Sequence, residues 1–313
     1  MHLDLLVISF GLGVGILVGL TGIGGGSLMT PLLILFAGVQ PVVAIGTDLA
    51  YGAVTKTLGG WRHLKKGTVD LGVSKWLAVG SVPGSLVGVA LVDWLHRRYG
   101  KGFDDVLLYA IAVALVIVAV TTLTRALFMP KLVAREQESV TITTRVKLGA
   151  SSMGFVLGLL VGMTSVGSGA LIGLVLILVF RLTPHRVVGT DVFHAAILLW
   201  AAGIAHWITG TVDFVLMANI LIGSLPGVLI GTHLITKVPA AGLRPALGCV
   251  LVGSALGVLS KAGVDVPKAA IPGVPALIGL FAFFVHRARP AVSAPAPRTA
   301  TAPASPRPEV APT

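Results

Sequence analysis

The sequence predicts an all-α polytopic membrane protein made of two inverted-topology repeats that contain interrupted or re-entrant helices. Three observations support this fold class: the composition, the order of apolar runs along the chain and an internal repeat. Of the 313 residues, 55% are hydrophobic and 11% are charged, whereas soluble domains have about 25% charged residues. Too few polar side chains remain to cover a surface in water. The chain is therefore expected to be an integral multi-pass protein of the inner or plasma membrane.

The charge and the residue types exclude several classes of function. Lysine and arginine outnumber the acids by 23 to 12. In a helical membrane protein this excess indicates basic loops that set orientation, and not a nucleic-acid partner. The single cysteine, Cys249, excludes an internal disulfide and a cysteine-based metal site. The N-terminus lacks the basic region and cleavage site of a signal peptide and is interpreted as a retained first helix. No nucleophile elbow, phosphate loop or His-Glu-x-x-His pattern occurs, so no enzyme, cofactor or metal site is predicted.

Eleven apolar runs follow one another along the chain, and most approach the roughly 20 residues that a helix needs to span a bilayer. Two runs are shorter, 26–38 and 168–181, and each follows a glycine-rich break, which predicts half-length helices. The runs are 3–21, 26–38, 43–60, 71–92, 105–128, 147–163, 168–181, 187–208, 214–235, 243–260 and 270–286.

These runs divide the chain into four parts. Residues 1–128 form a first transmembrane repeat, 129–146 a cytoplasmic linker and 147–287 a second transmembrane repeat. The tail, 288–313, consists largely of Pro, Ala, Ser, Thr and Arg without an apolar period, which predicts disorder.

The internal repeat appears when the chain is shifted by 143 residues, the spacing from 48 to 191. Gly46-Thr47-Asp48 then falls on Gly189-Thr190-Asp191, and Gly67-Thr68-Val69-Asp70 falls on Gly210-Thr211-Val212-Asp213. Compositional bias alone would match glycines and leucines but not two such motifs at one offset. The sequence therefore predicts a duplication.

The loop charges predict that the two copies have opposite orientations. The loop after the third run is basic and its copy is not, whereas the loop after the second run is uncharged and its copy is basic. The residues concerned are Arg62, His63, Lys65 and Lys66 in the first copy, and Arg181, His185 and Arg186 in the second. Since positive loops face the cytoplasm, five runs per copy would invert the second repeat. Inverted repeats with interrupted helices are typical of secondary transporters.

Several of these motifs resemble the TauE/SafE family, the sulfite exporters. They are Gly22-Ile23-Gly24-Gly25-Gly26, the downstream Pro31, Gly-Thr after a short linker and Gly-Ser-x-Pro-Gly, and the resemblance covers about 5–260. It implies transport of sulfite, organosulfonates or related small carboxylates. The chain departs from the family in having an acid after each Gly-Thr and an altered second glycine motif, Thr164 to Gly169.

The two glycine-rich breaks predict a site for an anion. Glycine permits an unwound backbone, and the free N–H groups and positive dipole at a helix start attract negative charge. Two inverted copies would direct two such ends at one point. The alternative is close helix packing through small residues. The predicted substrate-binding residues are Thr21, Gly22, Gly24, Gly25, Gly26, Ser27, Thr47, Thr164, Ser165, Gly167, Ser168, Gly169 and Thr190.

Two acids inside apolar helices are the candidates for coupling. Asp48 and Asp191 lie about two turns below the membrane surface, where an ionised acid is costly and usually functional. Each could carry a proton or coordinate a cation. The alternative is that each caps the start of its helix.

Three further groups qualify this prediction. Lys56 lies two turns from Asp48 and could pair with it or contact the substrate, or could extend to the inner surface instead. His194 lies one turn after Asp191 and could relay a proton. His63 and His206 lie at loop edges, where an interfacial position is favoured over a relay.

Together these features predict a secondary active transporter of small anions, coupled to a proton or another ion. The alternatives are a passive anion channel and a non-transporting membrane assembly component. The expected partners are a small anionic substrate, a coupling proton or cation and the lipid bilayer, with a homodimer left open.

Overall fold

The computed structural model describes residues 3–21, 26–128, 136–234 and 240–287, which are almost entirely helical. Each predicted apolar run contains one helix, and five helices of the described part of the chain are long and apolar enough to span a membrane, so the all-α polytopic class is confirmed. The helices are α1 Leu5–Thr21, α2 Gly26–Leu35, α3 Pro41–Lys65, α4 Leu71–Tyr99, α5 Lys101–Phe128, α6 Thr144–Thr164, α7 Ala170–Leu178, α8 Pro184–Ile208, α9 Phe214–Leu234, α10 Ala240–Lys261 and α11 Ala270–Arg287. The predicted disordered tail and residues 129–135 of the linker lie outside the described residues.

The two short helices, α2 and α7, have 10 and 9 residues. At 1.5 Å per residue each is about 15 Å long, half of the hydrocarbon core. Ahead of α7 the chain leaves helical geometry at Ser165, whose φ of 59° is left-handed, and again at Gly167, whose φ is 104°. The predicted second break is therefore present, with glycine at a position that suits it. The first break, residues 22–25, lies outside the described residues.

The equivalent helices α3 and α8 pack against each other in antiparallel directions. Gly60 at the end of α3 contacts Phe193 near the start of α8, and Gly203 near the end of α8 contacts Ala50 in the first half of α3. Both helices begin with a proline, whose fixed φ suits a first helical position. Asp48 therefore lies alongside the second half of α8, and Asp191 lies alongside the second half of α3.

Two helix crossings are built from glycines spaced four residues apart. In the crossing of α4 with α6, a Cβ placed on any of these glycines would overlap a backbone carbonyl oxygen of the facing helix. The contacts are Gly80–Ser151, Gly84–Phe155, Gly88–Leu159, Gly154–Leu77, Gly158–Ser81 and Gly162–Ser85. Only glycine allows backbones to approach this closely, which is the packing mode of small-residue membrane interfaces.

The crossing of α1 with α9 repeats the same contacts at the offset of 143. They are Gly223–Ile8, Gly227–Leu12, Gly231–Ile16, Gly11–Ile220, Gly15–Ser224 and Gly19–Val228. The first helix of each repeat therefore packs against the fourth helix of the other repeat. The two halves of the chain are interleaved, and neither forms a separate body.

The linker and two loops lie together on one face of the molecule. Gln137 bridges to the chain around Leu182, and Glu138 lies 3.6 Å from Arg186. The guanidinium of Arg186 donates to the Val69 carbonyl at 3.0 Å in the loop before α4. The basic loop before α8 and the loop that follows the basic end of α3 thus share a face with the linker.

Candidate functional site

The candidate site lies where α2, α3 and the second break meet around Asp48. This carboxylate is 1% exposed. Its Oδ2 atom accepts hydrogen bonds from the Thr30 hydroxyl at 2.6 Å and from the Ser165 hydroxyl at 2.7 Å. Thr30 comes from α2 and Ser165 from the second repeat. The carboxylate therefore joins three elements and both repeats at one buried point.

The beginning of α2 contacts the second break directly. A Cβ placed on Gly26 would lie 2.7 Å from the Ser165 carbonyl oxygen and 3.4 Å from Asp48 Oδ2. No side chain fits there without displacing the break, since the distance from a Cβ atom to a neighbouring heavy atom rarely falls below 3.4 Å. The structure thus brings Gly26 and Ser165, one residue from each predicted half-site, into contact.

Lys56 is tied to the second break and does not extend to the membrane surface. It is 9% exposed, and its ammonium donates to the Ser168 carbonyl at 2.8 Å. The Ser168 hydroxyl lies at 3.5 Å from the same nitrogen, at the limit of a hydrogen bond. The ammonium of Lys56 is therefore held at Ser168, one residue before the N-cap of α7.

Asp191 has different surroundings from Asp48, although the repeat makes them equivalents. It is 5% exposed, and its Oδ1 atom has no hydrogen-bond partner among the described residues. Lys56 and Arg125 both act on it electrostatically. Arg125 also lies against α7, with its guanidinium 3.2 Å from a Cβ placed on Gly173. Two cations therefore act on Asp191, whereas Asp48 accepts from two hydroxyls and shares only Lys56.

Neither acid caps a helix. The N-caps of α3 and α8 are Gln40 and Thr183, and each acid is the eighth residue of its helix. The capping alternative is therefore excluded, because a side chain two turns inside the helix cannot reach the free N–H groups of the first turn.

The buried histidines occupy two kinds of position. His194 is 1% exposed, and its Nε2 atom lies 3.2 Å from the Ser81 hydroxyl. The loop-edge position of His206 predicted an interfacial side chain, and this prediction is wrong. His206 is 1% exposed and lies between the Thr211 hydroxyl at 2.8 Å and the Gly162 carbonyl at 3.1 Å. The half-buried His63 makes the equivalent contact with Thr68 at 2.9 Å.

Some predicted binding residues have structural contacts instead. The Thr47 hydroxyl accepts from the Asp213 backbone N–H at 3.0 Å, and the Thr190 hydroxyl accepts from the Asp70 backbone N–H at 2.8 Å. Each threonine therefore anchors a loop of the opposite repeat. Thr164 donates to the Leu160 carbonyl within its own helix at 2.7 Å.

The remaining predicted residues divide into two groups. Ser27, Gly167, Ser168 and Gly169 lie at or beside the two breaks, and Ser27 and Ser168 are 4% and 3% exposed. The side chain of Thr21 and the whole of Gly22, Gly24 and Gly25 lie outside the described residues.

Two side chains at the site were missed by the sequence analysis. Thr30 carries no repeat signal, because its equivalent at the offset of 143 is Gly173. Arg125 belongs to no motif and lies near the end of a long apolar run. A search for single polar residues inside the half-length helices would have found Thr30.

Comparison with known proteins identifies the family. The family model described as sulfite exporter TauE/SafE matches residues 7–258. The chain belongs to the TauE/SafE family. It is 36% identical to the probable membrane transporter protein YjnA of Bacillus subtilis over 80% of this chain and 97% of that protein. It is 27% identical to the probable membrane transporter protein YdhB of the same organism over 74% of this chain and 91% of that protein.

A more distant similarity covers a smaller part of the chain. Sulfite exporter TauE/SafE family protein 2 of Arabidopsis thaliana is 34% identical over 34% of this chain and 23% of that protein. No solved structure matches this TauE/SafE chain. Family and relatives together make the protein an integral membrane transporter and not an enzyme, as the sequence predicted.

Proposed function

We propose that this TauE/SafE protein is a secondary active transporter of small anions of the sulfite, organosulfonate or related carboxylate class, coupled to a proton or another cation. The observation that carries the proposal is the contact of α2 with the second break at the buried Asp48. A titratable group beside a half-length helix and a helix break at one buried point is typical of ion-coupled secondary transporters.

The start of α7 is suited to an anion. Its N-cap is Gly169, which provides no side-chain oxygen to the first turn. The Leu171 N–H there already donates to the Gly167 carbonyl at 3.2 Å, and the other N–H groups of the first turn lack a partner within the helix. These groups and the positive end of the helix dipole favour negative charge. Lys56 is held one residue away, and Arg125 lies against the same helix at Gly173. A sulfonate or sulfite would find N–H donors, a serine hydroxyl and two cations within one region.

The antiparallel packing of α3 and α8 supports the inverted orientation that the loop charges predict. A two-fold axis along the membrane normal would make equivalent helices parallel, whereas an axis in the membrane plane makes them antiparallel. The grouping of both basic loop regions with the linker on one face agrees with a cytoplasmic location for that face.

Anion binding is expected to raise the melting temperature of the purified protein. Any ligand that binds only the folded state stabilises it in proportion to the logarithm of its concentration above Kd. Sulfite, sulfoacetate, taurine, sulfate, oxalate and lactate form the test panel, at equal ionic strength. Ser168→Leu should abolish the stabilisation and Ser168→Ala should weaken it, because the first fills the site and the second removes one hydroxyl.

The matched control is Ser152→Leu, an exposed serine of α6, which should keep the wild-type response. Stabilisation of the Ser168→Leu protein equal to that of the wild type would place the anion elsewhere. Stabilisation by none of the six anions would count against the proposed substrate class.

The inverted orientation predicts which loops are labelled from which side. After replacement of Cys249 by serine, single cysteines at Lys66 and Arg181 should react with an impermeant maleimide only from the cytoplasmic side. Cysteines at their equivalents, Thr209 and Gly38, should react only from outside. Labelling of Lys66 and Thr209 from the same side would show parallel repeats and would remove the inverted-repeat basis of the proposal.

A further inference from the structure

Oxygen atoms from three different elements converge at Asp48. The hydroxyls of Thr30 and Ser165 lie 2.6 Å and 2.7 Å from its Oδ2 atom. The Ser165 carbonyl oxygen lies against Gly26, at 2.7 Å from the position of a Cβ there, and Asp48 Oδ2 lies 3.4 Å from the same position. Because residue 26 has no side chain, no Cβ intervenes between the Ser165 carbonyl and Asp48. Thr30, Asp48 and Ser165 are each at most 1% exposed.

The second carboxylate oxygen has no partner in this group. Asp48 Oδ1 is buried and makes no hydrogen bond to any described residue. A buried polar atom without a partner is expensive in a protein interior, and native structures place a ligand, ion or water at most such atoms. This orphaned oxygen is the second observation that points to a bound species.

The charge at Asp48 is also uncompensated by direct contact. The ion pairs of the described residues do not include it. Lys56 lies two turns after Asp48 on α3, and its ammonium donates to the Ser168 carbonyl. An ionised acid buried in a membrane protein needs a positive charge beside it. Lys56 acts electrostatically on both acids without contacting Asp48, and Arg125 adds a second cation at Asp191 only.

The donor set indicates the class of ion. Carboxylate, hydroxyl and carbonyl oxygens are hard ligands suited to alkali and alkaline-earth cations. A hydroxyl that donates its hydrogen to a carboxylate keeps its lone pairs for a metal ion. Divalent ions are normally held by several carboxylates, and the described residues contain no group of three or more His, Cys, Asp or Glu that could hold a metal. One carboxylate among neutral oxygens balances one positive charge.

The backbone at the site has the matching polarity. α6 ends at Thr164 and its C-cap is Ser165, so the last carbonyls of α6 and the negative end of its dipole lie beside Asp48. Helix ends of this kind coordinate the coupling ion in discontinuous-helix transporters.

The site occurs once, although the chain is duplicated. At the offset of 143, Thr30 falls on Gly173 and Ser165 falls on Gly22. Asp191 therefore cannot obtain either of the two hydroxyls that surround Asp48. The asymmetry separates the roles of the two acids: Asp48 lies among hydroxyl and carbonyl oxygens and shares only Lys56, whereas a second cation, Arg125, acts on Asp191.

We propose that Asp48, Thr30 and Ser165 bind one dehydrated monovalent cation, with the Ser165 carbonyl as a further ligand, and that this ion enters the site together with the transported anion. The inference deepens the proposed transport function, on which it rests, by assigning a bound cation to one of the two equivalent acids. A bound cation supplies the charge that an incoming anion would otherwise leave unbalanced.

Sodium is the probe in the experiment that tests this site. The melting temperature of the purified full chain is measured in sodium, potassium and choline chloride at equal ionic strength, without any of the six anions. Sodium should raise it in a saturable manner relative to choline. Asp48→Asn should abolish the response, and Thr30→Val and Ser165→Ala should each shift its midpoint to at least tenfold higher sodium.

Two other variants show whether the effect is local. Thr55→Val removes a hydroxyl of α3 that bonds the backbone of its own helix and should respond to sodium like the wild type. Asp191→Asn should keep the sodium response, because the proposal assigns the ion to Asp48 alone.

Equal melting temperatures of the wild type in sodium, potassium and choline would overturn the inference, and so would an unchanged sodium response of Asp48→Asn. A response to pH in place of sodium would assign a proton to the site and would also overturn it. If Asp48→Asn does not fold, the melting temperatures of the wild type and of Thr30→Val in the three salts decide the question. Stabilisation by sulfite or sulfonates without any sodium response would leave the anion site intact and remove only the cation site.

Discussion

Replacing Gly158 by alanine is expected to lower the melting temperature of the purified protein by on the order of 10 °C. The added Cβ would overlap the Ser81 carbonyl oxygen, and the same interface contains five more glycine contacts of this kind. The α4–α6 crossing would have to open, at a cost of about 3 kcal/mol or more, the upper range for overpacking a tight interface. Gly15→Ala should have a similar effect, because its Cβ would overlap the equivalent Ser224 carbonyl.

Each of these variants has a control in its own helix. Gly149 on α6 and Gly13 on α1 have no atom within 4 Å of a built Cβ. Alanine at either position should leave the melting temperature unchanged or raise it slightly, since alanine is the better helix former by about 0.5–1 kcal/mol. Similar melting temperatures for Gly158→Ala and Gly149→Ala would show that the crossing is not held by close backbone contact.

The second large effect is expected at the two buried acids. Asp48→Asn and Asp191→Asn should each reduce gradient-driven accumulation of the anion in liposomes by about tenfold or more, within the range of coupling free energies between linked sites. Asparagine keeps the size of the side chain but cannot lose a proton or supply a full negative charge. The measurement is uptake under an imposed pH or sodium gradient, with anion binding followed by thermal shift.

The control for this experiment is Asp105→Asn, an exposed acid at the start of α5, which should accumulate the anion normally. Asp→Ala variants should lose coupling as fully as the Asn variants, because neither acid caps its helix. Wild-type accumulation in both Asn variants would release these acids from coupling and make His194 the next candidate. Downhill flux without accumulation in the wild type would identify a passive channel.

The sequence was sufficient to predict the helices and the breaks because both depend on local composition. An apolar run of about 20 residues must be helical in a bilayer, since its backbone groups have no other partners there. The breaks were identified because glycines and a shortened run coincide twice at one offset. Asp48 was identified because an ionised acid within an apolar run is energetically costly and is usually functional.

What the sequence did not provide was which faces meet. The chain contains four series of glycines spaced four residues apart, such as Gly154, Gly158 and Gly162. The local sequence does not indicate that α6 packs on α4 and not on its neighbour α7. The same limit explains Thr47 and Thr190, which were assigned to the site because they precede the acids. Their hydroxyls bind loops that return from the opposite repeat, a long-range contact without a local signature.

The interleaving of the repeats also constrains the order in which the protein can mature. α1 packs against α9, so Gly11 cannot make its contact until Ile220 has been synthesised, 209 residues further along the chain (220 minus 11). At about 5–20 residues per second of synthesis, this delay is roughly 10–40 s. During that time the glycine face of α1 has no partner of its own and lies against lipid or the insertion machinery. Final assembly of the first half therefore depends on the second, and a nascent chain interrupted before α9 would present an unpaired surface to quality control.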